Sequence, residues 1–234
     1  MIDIDQIPIN LFTQSNTIRL ISTAYIDEPA LQPLSDSDDE LAFLEALEGL
    51  TSARMAKGIP LPSGVNPHEL LNQHHGYGWS YVNSAFCYTR VTGNRFNGPD
   101  RGAWYATWGE NSVATAKSEV GWHLTRELEA TGVFENTTSY RELLAGFNTG
   151  FHDLRGYSNE PFFDDEPMIG YPIGQALAKA LRTTGCQGII YQSVRHSDGL
   201  CLAAFRPNTV QNIRQGDCWK FVWSGSATPT IKKQ

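Results

Sequence analysis

The residue types best suited to chemistry lie close together between positions 93 and 123. Arg95 sits in a turn-forming stretch, Gly93-Asn94-Arg95-Phe96-Asn97-Gly98-Pro99, and Tyr105 in the short aromatic run Ala103-Trp104-Tyr105-Ala106 that follows. Glu119 and His123 stand four residues apart, a spacing that sets two side chains on one face of a helix. A guanidinium offers paired donors to a phosphate, and a carboxylate can hold hydroxyls or stabilise developing positive charge. Their order along the chain describes a pocket. Each also has a purely structural explanation: a surface turn for Arg95, a core aromatic for Tyr105, a solvated helix face for Glu119 and His123.

The elements that must position these residues follow from periodicity. Thr17-Ile18-Arg19-Leu20-Ile21 alternates as a half-buried strand, and a Pro-punctuated connection follows it. Ser37-Asp38-Asp39-Glu40 has the capping-box pattern, and Leu41, Leu44, Leu47 and Leu50 predict a helix to about Thr51. Arg54, one turn later, suits either the negative end of that helix or a phosphate. Residues 57–80 read as a long loop with a helical turn at His68 to Leu71, and its adjacent His74 and His75 as solvated or capping side chains. Tyr81 to Arg90 and Ala103 to Thr107 read as strands. A turn at Gly109 to Ser112 opens a helix to about Ala130, stopped by Gly132, with Val113, Ala116, Val120 and Leu124 as its apolar stripe and Glu119 and His123 on its flank.

Beyond that helix, Thr138 to Phe147, with Tyr140, Leu143 and Leu144, reads as a second one, and the acidic run Asp164-Asp165-Glu166 as solvated. Tyr171-Pro172 opens a third, with Ile173, Ala176, Leu177, Ala180 and Leu181 as its stripe and Gly185 as its end. Gly188 to Val194 and Leu200 to Phe205 form a hairpin through a turn at His196 to Gly199, which places Ser193 where it can face a pocket. Val210 to Ile213 and Trp219 to Trp223 add strands, and 224–234 reads as a polar tail. Strands at both ends with helices between predict one α+β domain over 1–234, its core about 17–223, with a mixed, mainly antiparallel sheet flanked by helices.

Composition sets bounds on function. A formal net charge of -7 and a pI near 5.3 argue against a nucleic-acid or anionic-membrane surface but leave room for a small anion in a locally basic pocket. The first residues have neither a basic nor an apolar targeting segment, and no run of about 18 apolar residues occurs, so a soluble cytoplasmic protein is expected. Cys87, Cys186, Cys201 and Cys218 form no CxxC pair and are expected as buried thiols, with no metal. GxGxxG, Walker and GxSxG motifs do not occur.

Several ordered segments resemble the RES domain family. They are Gly93-Asn94-Arg95-Phe96-Asn97, Trp104-Tyr105-Ala106, Thr115-Ala116-Lys117-Ser118-Glu119 with His123, and Gly188-Ile189-Ile190-Tyr191-Gln192-Ser193-Val194-Arg195. Leu47 to Arg54, Ser84-Ala85-Phe86 and Ala204-Phe205-Arg206-Pro207 extend the similarity over roughly residues 17 to 210. The resemblance implies a bacterial toxin of a toxin-antitoxin pair, with a fold similar to ADP-ribosyltransferases and NAD as substrate rather than cofactor. It also implies an antitoxin partner carrying an Xre-like helix-turn-helix domain. Under it, Glu119 serves the ribose, Arg95 and Arg54 the pyrophosphate, Tyr105 the nicotinamide ring and Ser193 the ribose or Arg95, with His123 in support. Water or phosphate as acceptor is the leading expectation. Transfer of ADP-ribose to a protein and a non-catalytic interaction role are the alternatives, and homo-oligomerisation is left open.

Overall fold

The computed structural model describes residues 2–26, 35–55 and 60–234, with the backbone alone at 45, 49 and 51. The Pro-punctuated connection at 27–34 and the start of the long loop at 57–59 lie outside the described residues. In chain order the elements are β1 (Ile9–Ser22), α1 (Asp38–Thr51), α2 (Trp79–Cys87), β2 (Trp104–Trp108), α3 (Ser112–Thr131), β3 (Glu135–Asp153), α4 (Pro167–Thr183), β4 (Gly188–Gln192), β5 (Leu200–Ala204), β6 (Gln211–Ser224) and β7 (Thr230–Lys233).

Local signals that name a backbone geometry hold. The Ser37 hydroxyl accepts from Glu40 N at the start of α1, and α3 stops where Gly132 turns left-handed at φ 68, a conformation that costs other residues more. His75 caps the 3-10 turn Gln73–His75 through Asn72. The β4–β5 hairpin forms as expected, with Gln192 opposite Leu200.

Four assignments are corrected. Tyr81 to Arg90 is not a strand: α2 occupies Trp79–Cys87 and buries Val82, Asn83, Ala85 and Phe86 at helical spacing. Thr138 to Phe147 is not a helix but the middle of the 19-residue strand β3. The two segments at Val210 to Ile213 and Trp219 to Trp223 are joined in one strand, β6, and Thr230–Lys233 pairs with it as β7 rather than forming a loose tail. The third predicted helix starts at Pro167, so Pro172 lies inside it.

The seven strands form one sheet in the order β1-β2-β5-β4-β3-β6-β7, and β1 also pairs with β3, which closes five of them into a circuit. Among the described residues only the short β3–β4 pairing is parallel. The result is a mixed, mainly antiparallel sheet in an α+β domain. Alternation assigns its faces. Trp104, Ala106, Ile190, Leu202 and Ala204 point toward α2 with Val82, Ala85 and Phe86, in the largest apolar cluster. Tyr105, Ile189, Tyr191, Cys201 and Ala203 point the other way, toward Leu177, Ala178 and Leu181 of α4. α3 covers Ile18, Leu20, Phe221 and Trp223. The candidate site lies on the α3–α4 side.

Candidate functional site

Glu119, midway along α3, meets the start of the β4–β5 turn. The Ser193 hydroxyl donates to its Oε1 at 2.5 Å and accepts from the backbone N–H groups of Arg195 and His196, each at 3.1 Å. A hydroxyl has one donor and two acceptor positions, so Ser193 is saturated. It binds the turn to the carboxylate and thereby fixes which oxygen faces inward. The Cys201 thiol lies 3.8 Å from the same Oε1, and burial, followed by the Glu119 charge, pushes that thiol well above its ordinary pKa. Among the described residues, Oε2 of Glu119 has no hydrogen-bond partner. Gly199 lets the turn approach α3, since a Cβ there would lie 2.7 Å from Thr115.

Arg95 is presented by a tight turn in which Asn94 N and Asn97 O bond at 2.8 Å. Gly93, at φ 66, opens it, and a side chain there would strike Asn97 O at 2.1 Å. The Tyr105 hydroxyl clasps the same turn, accepting from Phe96 N and donating to Asn97 Oδ1, both at 2.9 Å. Arg95 is only 7% exposed; its Nη1 donates to the carbonyls of Phe162 and Asp164 at 2.7 and 2.8 Å, and the guanidinium lies over the Tyr171 ring. Two glycines of α4 make this fit possible. A Cβ on Gly174 would lie 2.3 Å from Arg95 O, and one on Gly170 would lie 2.8 Å from Arg95 Nη1.

A second arginine joins it. Arg195 donates from Nη2 to the Asp165 carbonyl and stacks with its guanidinium 3.5 Å from the centre of the Trp122 ring. Burial and the charge of Arg95 lower its pKa, while Glu119, Tyr171 and Asp165 oppose that shift, which puts all of these groups within one another's electrostatic reach. His123 reports the same field. Burial, then the charges of Arg90, Arg195, Arg95 and Arg126, pushes its pKa down to about 4, so the imidazole is neutral at pH 7.

The four arginines around His123 fall into two kinds. Arg90 is paired with Glu127 at 2.8 Å and Arg126 with Glu166 at 3.4 Å, both on the exposed rim. Arg95 and Arg195 are held by neutral backbone carbonyls, and among the described residues neither has an ion pair. Carbonyls orient a guanidinium without cancelling its charge. In a chain of net charge -7, this leaves a local cluster of uncancelled positive charge within electrostatic reach of Glu119.

The structure therefore brings together Arg95, Glu119, Ser193 and His123 of the sequence-predicted residues. Tyr105 is adjacent, but its hydroxyl holds the Arg95 turn, and burial raises its pKa. Arg54 is elsewhere. It pairs with Glu48 at 3.3 Å, and its carbonyl accepts from Asn83 of α2, on the opposite side of the sheet. Sequence reading gave no site role to Arg195, Trp122, Tyr171 or the acidic run, which contributes backbone carbonyls rather than carboxylates. The signal available for α4 was the Gly170/Gly174 pair on one helix face. A separate cavity of about 420 Å³, lined by Gly98, Asp100, Gln175, Lys179 and Arg182, contains none of these groups. Among the described residues no cluster of three or more His, Cys, Asp or Glu side chains could hold a metal ion, and no helix is long and apolar enough to cross a membrane.

With this geometry in place, comparison with protein families identifies the class. The RES domain matches residues 67–224, about two-thirds of the chain, and takes in Arg95, Glu119 and Ser193. The chain belongs to the RES domain family. No curated protein matches it.

Proposed function

We propose that this chain cleaves NAD at the bond between nicotinamide and ribose, as the toxin of a bacterial toxin-antitoxin pair acting in the cytoplasm. The supporting observation is the Ser193–Glu119 hydrogen bond, set beside arginines that carry no ion pair among the described residues. When the glycosidic bond breaks, its electron pair neutralises the departing pyridinium nitrogen, and positive charge builds on the ribose carbon and ring oxygen. Glu119, with Oε1 held by Ser193, offers Oε2 to the ribose hydroxyls and to that charge. Water or phosphate then adds through an oxygen lone pair at the ribose carbon, and the proton that water must lose passes to solvent. Arg95 holds the pyrophosphate. His123, neutral at pH 7, serves as a hydrogen-bonding wall rather than a competing cation. Family membership and the antiparallel core support a scaffold related to ADP-ribosyltransferases. Family membership alone supports a helix-turn-helix antitoxin as partner.

The test is incubation of the purified chain with NAD labelled in the adenylate, following nicotinamide release and label on protein. Release without protein labelling is expected, and Glu119→Gln should suppress it. Labelled protein would move the reading to ADP-ribosyl transfer. No release from the parent chain would overturn it in favour of a non-catalytic interaction role.

A further inference from the structure

The charges around His123 leave one cation without an assigned use. Arg90 and Arg126 are each matched by a carboxylate. Among the described residues Arg95 and Arg195 are not, and both are tied to the same short segment, Arg95 through the Phe162 and Asp164 carbonyls and Arg195 through the Asp165 carbonyl. Arg195 is further fixed in plane by Trp122, whose other cationic neighbour, Arg126, lies 5.1 Å from the ring. Its backbone N–H is bound by Ser193, so the residue is set by the same turn that orients Glu119. Two preorganised guanidiniums without ion pairs match an anion of two adjacent charges better than a single phosphate.

We propose that Arg195, not Arg54, is the second cation of a two-arginine clamp for a diphosphate, so that the site selects phosphoanhydride-bearing nucleotides over nucleosides. This rests on the NAD reading for its substrate, but it is tested by binding rather than turnover. Titration calorimetry of the full chain with ADP and with adenosine should show ADP bound more tightly by about tenfold or more. Arg195→Met should remove most of that margin and leave adenosine affinity unchanged, while Arg54→Met should leave both unchanged. Arg195→Lys, which keeps a stem on Trp122 and a point charge but loses the planar fork, should fall between, and it decides the matter if the Met variant melts early.

Equal binding of ADP and adenosine by the parent, or full ADP affinity in both Arg195 variants, would overturn the clamp. The clamp can fail while NAD cleavage persists, and it can stand in a chain that releases no nicotinamide.

Discussion

Two buried arginines six positions apart are used in opposite ways. Arg101 is 6% exposed and ion-paired to Glu69 at 3.0 Å; it also donates to the carbonyls of Gly64 and Phe205, and Glu69 in turn meets Arg206 at 3.4 Å. Arg95 is 7% exposed and, among the described residues, held by carbonyls and an aromatic face alone. The first is a closed electrostatic unit that joins the long loop, the segment before β2 and the end of β5. The second keeps its charge available. Burial alone therefore does not distinguish the two arginines; the presence of a carboxylate beside Arg101 and, among the described residues, not beside Arg95 does.

That contrast can be broken most sharply at Arg101. Arg101→Met leaves the nearly buried Glu69 with Arg206 as its remaining cation and the Asn66 N–H as its other partner, and should cost about 3 kcal/mol in urea unfolding, whereas Arg95→Met, which strands two carbonyls, should cost about 1–2 kcal/mol. Equal losses would erase the distinction. Next in size, Glu119→Gln keeps the shape and should lower NAD turnover by about 100-fold or more, measured as nicotinamide release, with melting temperature unchanged.

Ser193→Ala should lower kcat about tenfold and leave KM within about twofold, because the hydroxyl is spent on Glu119 and the turn. A large KM effect instead would assign Ser193 to the substrate. The smallest effect is on pH dependence. His123 has a folded pKa of about 4 against an ordinary 6.5, so the unfolded chain binds the proton more readily; its contribution to stability is complete above 6.5 and is lost as pH falls toward 4. His123→Asn should make the acid side of the stability curve shallower in denaturant titrations.

How much of this was legible in the sequence depends on what wrote the signal. Ser37, Gly132 and the turn before Gly199 name backbone geometries and were read correctly. β3 was not, because its centre is covered on both faces. Leu143, Ala145 and Phe147 point into one cluster, Tyr140 and Leu144 into another, and bulges against β6 at Arg141/Leu143 and Leu144/Gly146 disturb the alternation further. The same ambiguity made α2 look like a strand, since its Val82 and Phe86 suit either state until burial of Asn83 and Ala85 fixes the period. In the site, Arg95, Glu119 and Ser193 were visible as residue types. Their support was not, because it comes from the carbonyls of Phe162, Asp164 and Asp165, which any residue would supply. Arg54 matched by type yet is occupied by Glu48.

The contact at Gly174 has a consequence for motion. With no side chain between helix and turn, α4 and the Arg95 loop touch backbone to backbone, and Gln175 adds two hydrogen bonds, to Thr92 O and Asn94 O, each at 2.9 Å. These contacts tie the helix and the turn to each other directly. The amides of 93–97 and 174–178 should therefore exchange with solvent together and more slowly than those of 195–199, in the β4–β5 turn that leans on α3.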